Sequence, residues 1–165
     1  MTSIAFDGEL LATDSQATCN DLIMPTQVVK IHHMHFSLLG ECIFAGCGSE
    51  DDIINFTNFS SDWDISDSHD EGGMHIKFKG LQDGFEVPGG LLFTKEYNLV
   101  LYAGSQIASS FTGSYSQGSG HDIALALLIS GKNAKETIDI VKELDIYSGG
   151  ETQVFNIREW RESLK

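Results

Sequence analysis

The 165-residue chain has the composition of a globular protein, with 41% hydrophobic and 21% charged residues. Its length suits a single domain with a sizeable core, so we expect residues 1–165 to fold as one domain. The formal net charge is −14, and the few Lys and Arg form no basic stripe. This balance argues against nucleic acid or a membrane surface as a partner.

The chain shows no targeting or metal-binding pattern. It has no apolar run of about 18 residues and no charged start followed by an apolar stretch. Its three cysteines lack metal-ligand spacing and fit reduced thiols. No carboxylate completes a ligand set around His32, His33 and His35. We therefore expect a soluble, cytoplasmic protein without a metal or cofactor.

The first third of the chain predicts strands followed by one helix. Asp7-Gly8, between apolar stretches at 3–6 and 9–13, is a strong hairpin signal. Ser49 followed by three acidic residues predicts a helix from about 50 to 63. Further strands are expected at 16–20, 28–31, 35–39 and 42–46, with a turn at 21–26.

The rest of the chain predicts a loop, a second hairpin and two helices. The acidic, aperiodic stretch 64–73 indicates a loop, and 74–88 alternates weakly, as one or two strands would. The remaining expected elements are a hairpin of 91–94 with 99–102, helices at 120–130 and 134–145, a strand at 152–157 and a polar tail at 158–165.

The two hairpins define the expected fold. Each is followed by further strands and helices, which favours two antiparallel sheets packed face to face. The helices at 50–63 and 120–145 would cover the outer faces. The predicted fold class is therefore α+β, a four-layer α-β-β-α sandwich.

The Met1-Thr2 start points to a possible nucleophile. Met followed by a small residue is the usual substrate for methionine removal, which would make Thr2 the first residue. An N-terminal threonine carries a hydroxyl and an α-amine, and the amine has a pKa near ~8, so it can take the hydroxyl proton. The alternative is that Thr2 is an ordinary residue of an edge strand.

Six short motifs occur in an order and spacing that resemble the proteasome β-subunit and HslV-like family of N-terminal nucleophile hydrolases. The resemblance spans most of the chain, with an atypical segment at 64–88. It implies the four-layer sandwich and a threonine peptidase. The motifs are Thr2-Ser3-Ile4-Ala5, Leu11-Ala12-Thr13-Asp14-Ser15, Val29-Lys30-Ile31, Phe44-Ala45-Gly46, Gly118-Ser119-Gly120 and Asp145-Ile146-Tyr147-Ser148-Gly149-Gly150.

The resemblance implies that Lys30 lies beside the nucleophile Thr2 and that Asp14 pairs with Lys30. An ammonium near the α-amine lowers its pKa and helps to orient the hydroxyl. A buried ammonium is costly unless it is paired, so the two residues make sense together. The alternatives are a solvated surface lysine and a turn residue that ends a strand.

The same resemblance assigns supporting roles to four further residues. Ser119 would hydrogen-bond near the α-amine, and Asp145 and Ser148 would brace the nucleophile. The backbone N–H of Gly46 would stabilise the oxyanion formed on attack. The alternatives are a helix N-cap, a helix C-terminus that runs into a glycine turn, and a strand glycine at a bulge.

Strand periodicity predicts the substrate pocket. Val28 would share a face with Lys30, and Phe44 with Gly46, while Ala17 lies in the short strand after Asp14. Ala17, Val28 and Phe44 would form a small apolar pocket. It would accept an apolar side chain before the cleaved bond.

The leading function is thus a threonine-type endopeptidase that acts on peptides or unfolded proteins. The resemblance implies a closed homo-oligomeric ring, which an ATP-driven unfoldase could serve. Two alternatives stay open. One is a small-molecule amide hydrolase of the same fold, and the other is a non-catalytic, self-assembling proteasome-like subunit.

Overall fold

The structure, a computed structural model, describes residues 1–19, 22–79 and 84–165. The strands are β1 (Ser3–Phe6), β2 (Leu10–Thr13), β3 (Gln16–Cys19), β4 (Leu22–Gln27), β5 (Ile31–Phe36), β6 (Gly40–Cys47), β7 (Asp64–Asp70), β8 (Gly73–Lys79), β9 (Gly89–Phe93), β10 (Asn98–Leu101), β11 (Ile107–Phe111), β12 (Tyr115–Gly118) and β13 (Gln153–Asn156). The helices are α1 (Glu50–Asn58), α2 (His121–Ile129), α3 (Ala134–Leu144) and α4 (Ile157–Ser163), and a 3₁₀ turn covers Ser60–Asp62.

The chain divides into two compact units. The terminal unit comprises Met1–Ile31 and Thr112–Lys165, and the central unit comprises His32–Phe111. Across the described ranges, no helix is both long enough and apolar enough to cross a lipid bilayer.

The terminal unit is built on a four-stranded sheet in the order β12-β1-β2-β13. The β1–β2 hairpin turns at Asp7-Gly8, as its sequence predicts. The Asp7 side chain accepts hydrogen bonds from the backbone N–H groups of Glu9 and Leu10, and Gly8 supplies the positive φ of 104°. Helices α2 and α3 pack on β1 and β2 and bury small residues of the sheet under apolar helix residues. A separate two-stranded sheet pairs β3 with β4.

Two helices of the terminal unit begin at asparagine N-caps. Asn133 forms a capping box with Glu136 at the start of α3. Asn156 accepts a hydrogen bond from the backbone N–H of Glu159 at the start of α4. A capped helix therefore occupies most of the polar tail expected at 158–165.

The central unit contains a seven-stranded sheet in the order β5-β6-β9-β10-β11-β8-β7. Its core is aromatic. Phe56 of α1 lies at the centre, with ring centroids 5.0 Å from Phe44, 5.3 Å from Trp63 and 5.5 Å from both Phe36 and Phe78. Tilted and edge-to-face pairs at these distances are favourable. The buried Phe56 ring thus attaches α1 to the sheet, and Ile53 of the same helix packs against the same core.

The expected four-layer α-β-β-α sandwich is wrong. The described chain is mostly antiparallel β structure with few helices, and α1 is short. The segment after the 3₁₀ turn does not form a second helix over the sheet; β7 and β8 pair along 64–79 and extend the sheet to seven strands. Met74, Ile76 and Phe78 are buried while their neighbours are more exposed, which is the period of a strand and not of a helix.

Three local predictions also differ from the structure. Residues 64–70 form the edge strand β7 and not a loop, and most of the expected turn at 21–26 is the strand β4, although Pro25 lies within it. Proline and charged residues are tolerated on edge strands, where one side of the backbone is unpaired. Residues 28–30 are irregular and not a strand. Parts of the predictions for 16–20, 21–26 and 74–88 fall on residues 20–21 and 80–83, outside the described residues.

Candidate active site

The terminal unit contains a buried ion pair between Lys30 and Asp14. The Lys30 Nζ atom lies 2.8 Å from Asp14 Oδ1, and the two side chains are 6% and 0% exposed. Lys30 lies in the irregular segment between β4 and β5, and Asp14 directly follows β2. Removing the carboxylate would leave the Lys30 ammonium buried without its partner, and breaking a buried pair in this way is strongly destabilising.

Backbone donors surround the Asp14 carboxylate. Oδ1 accepts from the N–H of Ser3 at 3.0 Å, and Oδ2 accepts from the N–H groups of Gln16 and Gly149, both at 3.1 Å. These three N–H groups and the Lys30 ammonium together hold the carboxylate in one orientation. They join the start of β1, the turn after β2 and the loop after α3 at a single point.

The Lys30 ammonium also reaches the start of the chain. Its Nζ donates to the carbonyl oxygen of Met1 at 3.0 Å. That carbonyl is bonded to the nitrogen of Thr2, so the ammonium lies beside the peptide unit that joins the two residues. Thr2 is buried, and its own carbonyl accepts from the N–H of Ser119 at 2.9 Å. The Met1 ammonium donates to the Thr18 hydroxyl at 2.8 Å.

A second polar cluster surrounds the Ser3 side chain. The Asp145 Oδ2 atom accepts from the hydroxyls of Ser148 at 2.6 Å and Ser119 at 2.7 Å. The Ser3 hydroxyl lies 2.7 Å from that of Ser148 and 3.5 Å from the same Asp145 oxygen, and it accepts from the N–H of Gly120 at 2.9 Å. The structure thus brings the predicted residues Ser119, Asp145 and Ser148 together around Ser3.

Hydrogen bonding keeps Asp145 ionised. Burial by itself raises the pKa of this carboxyl, but the hydroxyls of Ser148 and Ser119, the backbone N–H of Tyr147 and the hydroxyl of Ser3 outweigh burial and leave the pKa below its ordinary value. Asp145 therefore acts as a fixed anion that orients the serine hydroxyls.

Glycines allow this close packing around Thr2. Gly118 has φ of +98°, and a Cβ atom there would overlap the Thr2 carbonyl oxygen. A Cβ at Gly120 would lie 2.6 Å from the Ser3 hydroxyl and 2.5 Å from Val141. A larger residue at Gly118 would displace the backbone of Thr2, and one at Gly120 would displace the side chains of Ser3 and Val141.

The expected pocket residues are divided between the two units. Ala17 of β3 and Val28 are half-buried in the terminal unit, while Gly46 and Phe44 belong to β6 in the central unit. Phe44 has no exposed surface and packs in the aromatic core, so its packing does not support a role in lining a pocket. A Cβ at Gly46 would meet the Phe44 ring at 2.7 Å, so packing alone already demands glycine there.

Sequence reasoning missed Ser3 and Gln153. The Ser3 hydroxyl lies at the centre of the second polar cluster, yet a serine in a short strand carries no distinguishing signal. The Gln153 carboxamide accepts from the N–H of Lys30 at 2.9 Å and donates to the carbonyl of Val28 at 2.6 Å. These partners are more than 120 positions away in the chain, so no sequence pattern could have indicated them.

The cysteines and histidines in the described ranges form no metal-binding cluster, and Cys42 is not activated as a nucleophile. No group of three or more His, Cys, Asp and Glu side chains there is placed to hold a metal ion. Burial, together with the neighbouring Glu41 carboxylate, raises the pKa of the Cys42 thiol to about 12. Burial lowers the pKa of His32, which favours its neutral imidazole. A thiol this difficult to ionise is a poor nucleophile.

Comparison with known proteins establishes the likeness of the fold alone. No protein-family model matches the chain, and no curated protein matches it in sequence. The structure of Thiobacillus denitrificans BPH in complex with epoxomicin is similar, with a TM-score of 0.64 and 15% identity over 94% of this chain and 97% of that one. A second structure of Thiobacillus denitrificans BPH has a TM-score of 0.60 and 15% identity over 93% and 95% of the two chains.

Proposed function

We propose that the protein is a threonine-type endopeptidase of the proteasome and HslV-like kind, with Thr2 as nucleophile after removal of Met1. The observation that carries this proposal is the position of the Lys30 ammonium. It is buried, paired with Asp14 and hydrogen-bonded to the carbonyl of the Met1–Thr2 peptide unit. A structural ion pair has no need to reach the chain terminus, whereas an N-terminal nucleophile needs a cation there.

The chemistry follows from the freed terminus. Hydrolysis of the Met1–Thr2 bond gives Thr2 an α-amine, which accepts the hydroxyl proton as the oxygen attacks a substrate carbonyl. The amine then returns the proton to the leaving amine, and an ester to Thr2 remains. Water, activated by the same amine, hydrolyses this ester. Lys30 disfavours a second positive charge nearby and so keeps the amine neutral.

The experiment is covalent labelling combined with turnover. Protein expressed in cells is analysed for its N-terminal residue, incubated with epoxomicin, the compound in the Thiobacillus denitrificans complex, and mapped by mass spectrometry. We expect a chain that begins at Thr2, one added molecule per chain on Thr2, and cleavage of fluorogenic peptides with apolar residues before the cleaved bond. Thr2→Ala should show neither labelling nor turnover. Peptide cleavage by a chain that begins wholly with Met1 would refute the mechanism.

The pH profile provides a second test of the amine as base. Activity should rise with pH through an apparent pKa at or below ~8 and then level off, because the neutral amine is the active form. A profile that falls as pH rises through neutrality would contradict an amine base.

Two other outcomes would redirect the proposal. Turnover of small amides without peptides would favour the amide hydrolase. An N-terminal Thr2 with no turnover and no labelling would favour a non-catalytic, self-assembling subunit.

Assembly and location belong to the same proposal. We expect a cytoplasmic homo-oligomeric ring that encloses the sites and receives unfolded chains from an ATP-driven unfoldase. Light scattering at micromolar concentration measures the mass. A single-chain mass with full peptidase activity would count against the ring.

A further inference from the structure

We propose that Gln153 is a positioning residue that fixes Lys30 against Asp14. This inference rests on the proposed function, in which Lys30 lowers the pKa of the Thr2 amine. It adds a residue that acts through hydrogen bonds to the backbone that carries the lysine.

The segment that carries Lys30 lacks regular strand structure. Strand β4 ends at Gln27, and β5 begins at Ile31, so 28–30 are irregular. A long lysine side chain attached to such a segment has many accessible positions, and holding it in one of them costs conformational entropy. Some other contact must therefore fix the backbone if the ammonium is to stay beside Asp14 and the start of the chain.

The carboxamide of Gln153 supplies that contact twice. Its Oε1 accepts from the N–H of Lys30 at 2.9 Å, and its Nε2 donates to the carbonyl of Val28 at 2.6 Å. The two partners dictate the orientation of the amide, because an N–H needs the oxygen and a carbonyl needs the nitrogen. The N–H of Val28 donates to the carbonyl of Ser15 at 3.0 Å, so three backbone groups of 28–30 are held.

The strand that carries Gln153 pairs with β2, the strand that ends just before Asp14. In the β13–β2 pair, Gln153 lies opposite Thr13, and Asp14 follows Thr13 directly. One side chain therefore ties the backbone of Lys30 to the strand end that presents its partner. The carboxamide is neutral, so its effect on Lys30 comes from position and not from charge.

The test compares Gln153→Leu and Gln153→Asn with Val154→Ala. Leucine keeps much of the volume but removes both hydrogen bonds, and asparagine is one methylene too short to reach both partners. Val154 is the next residue on the same strand, points to the opposite face and is 41% exposed, so its truncation is the matched control. All chains are prepared with Thr2 first, by cleavage of an N-terminal fusion, and their folding is checked by circular dichroism.

Two measurements test the role of Gln153 without requiring the protein to cleave peptides. Hydrogen exchange of peptides that cover 28–31 should be roughly fivefold faster in both Gln153 variants, as expected for a lost hydrogen bond. The pKa of the Thr2 amine, from the pH dependence of its acetylation followed by mass spectrometry, should rise by about half a unit or more as the ammonium moves away. Val154→Ala should match the wild type in both. A general loss of stability would accelerate exchange throughout the chain and leave the amine pKa unchanged.

Turnover separates this inference from the proposed function. In an active wild type, the Gln153 variants should lose kcat by about 10- to 100-fold, the size expected for a misplaced catalytic group, and their pH midpoint should shift upward. An inactive wild type would count against the peptidase, while exchange and the amine pKa would still decide the role of Gln153. Unchanged exchange, or faster exchange with an unchanged amine pKa, would overturn the inference, and if the leucine variant does not fold, the asparagine variant decides.

Discussion

The two units bury their interiors in opposite ways. The terminal unit buries charge: Lys30 and Asp14 are almost fully enclosed, and every oxygen of the carboxylate has at least two donors. The central unit buries aromatic surface, with Phe56 surrounded by other rings. Directional hydrogen bonds tolerate no change of atom type, whereas apolar contacts depend mainly on volume. The comparison predicts that substitutions of equal size will be harmful in one unit and mild in the other.

The largest effect is expected for Lys30→Ala. Activity should fall by about 10³-fold, within the range for a lost acid–base contribution. The fold should survive, because the Asp14 carboxylate retains its three backbone N–H donors. Peptide turnover and thermal unfolding measure the two quantities, with the exposed Lys135→Ala as control. Near-normal turnover would remove Lys30 from the mechanism.

Asp14→Asn should reduce both activity and stability. The amide is the size of the carboxylate, but it leaves the Lys30 ammonium unpaired and turns an N–H₂ group toward backbone donors. We expect a loss of about 3–5 kcal/mol in the free energy of unfolding, the cost of breaking a buried ion pair. Denaturant titration measures it, and a loss below about 1 kcal/mol would show that the pair is not needed for folding.

The central unit should respond to volume. Phe56→Ala should cost about 3–5 kcal/mol, because it opens a cavity among four rings. Phe56→Leu, which keeps most of the volume, should cost less than half as much. Similar losses for the two variants would mean that the ring contacts themselves, and not the filled volume, hold α1 on the sheet.

The smallest effect is a pH-dependent contribution from Asp145. Its pKa is lowered in the folded protein, so the unfolded chain takes up the proton first. The stabilisation is complete above the unfolded pKa, near ~3.9, and is lost as pH falls through the folded pKa. The difference in unfolding free energy between wild type and Asp145→Asn should therefore shrink below about pH 4. A difference that does not change between neutral and acidic pH would contradict this role.

Sequence patterns were most informative where local chemistry decides the structure. The Asp7-Gly8 hairpin and the α2 and α3 helices lie within a few residues of their expected bounds, and Ser49 caps α1 as predicted. A capping signal for α4 is also present in the sequence: Asn156 is a preferred N-cap residue, and Glu159 follows it in the first turn. The prediction of a polar tail did not use this signal.

The wrong predictions for 64–73 and for the overall fold have one cause, which is strand pairing that the local sequence does not reveal. Residues 64–70 are polar and aperiodic, and they form a strand because the backbone of β8 pairs with them and not because of their side chains. The same pairing extends the sheet to seven strands. Because the sequence does not reveal this pairing, it could not show that the four-layer sandwich was wrong. Edge strands bury few side chains and leave little trace in periodicity.

The sequence by itself determined the short-range elements and, through motif order, proposed Thr2, Asp14, Lys30, Ser119, Asp145 and Ser148 as one site. Turn and cap preferences act over a few residues, so they can be read directly. Only the tertiary structure decided that Lys30 is buried against Asp14, that Ser3 and Gln153 complete their surroundings and that Phe44 belongs to a core. These contacts join residues as far as 145 positions apart, and their energies depend on burial, which exists only once the chain has folded.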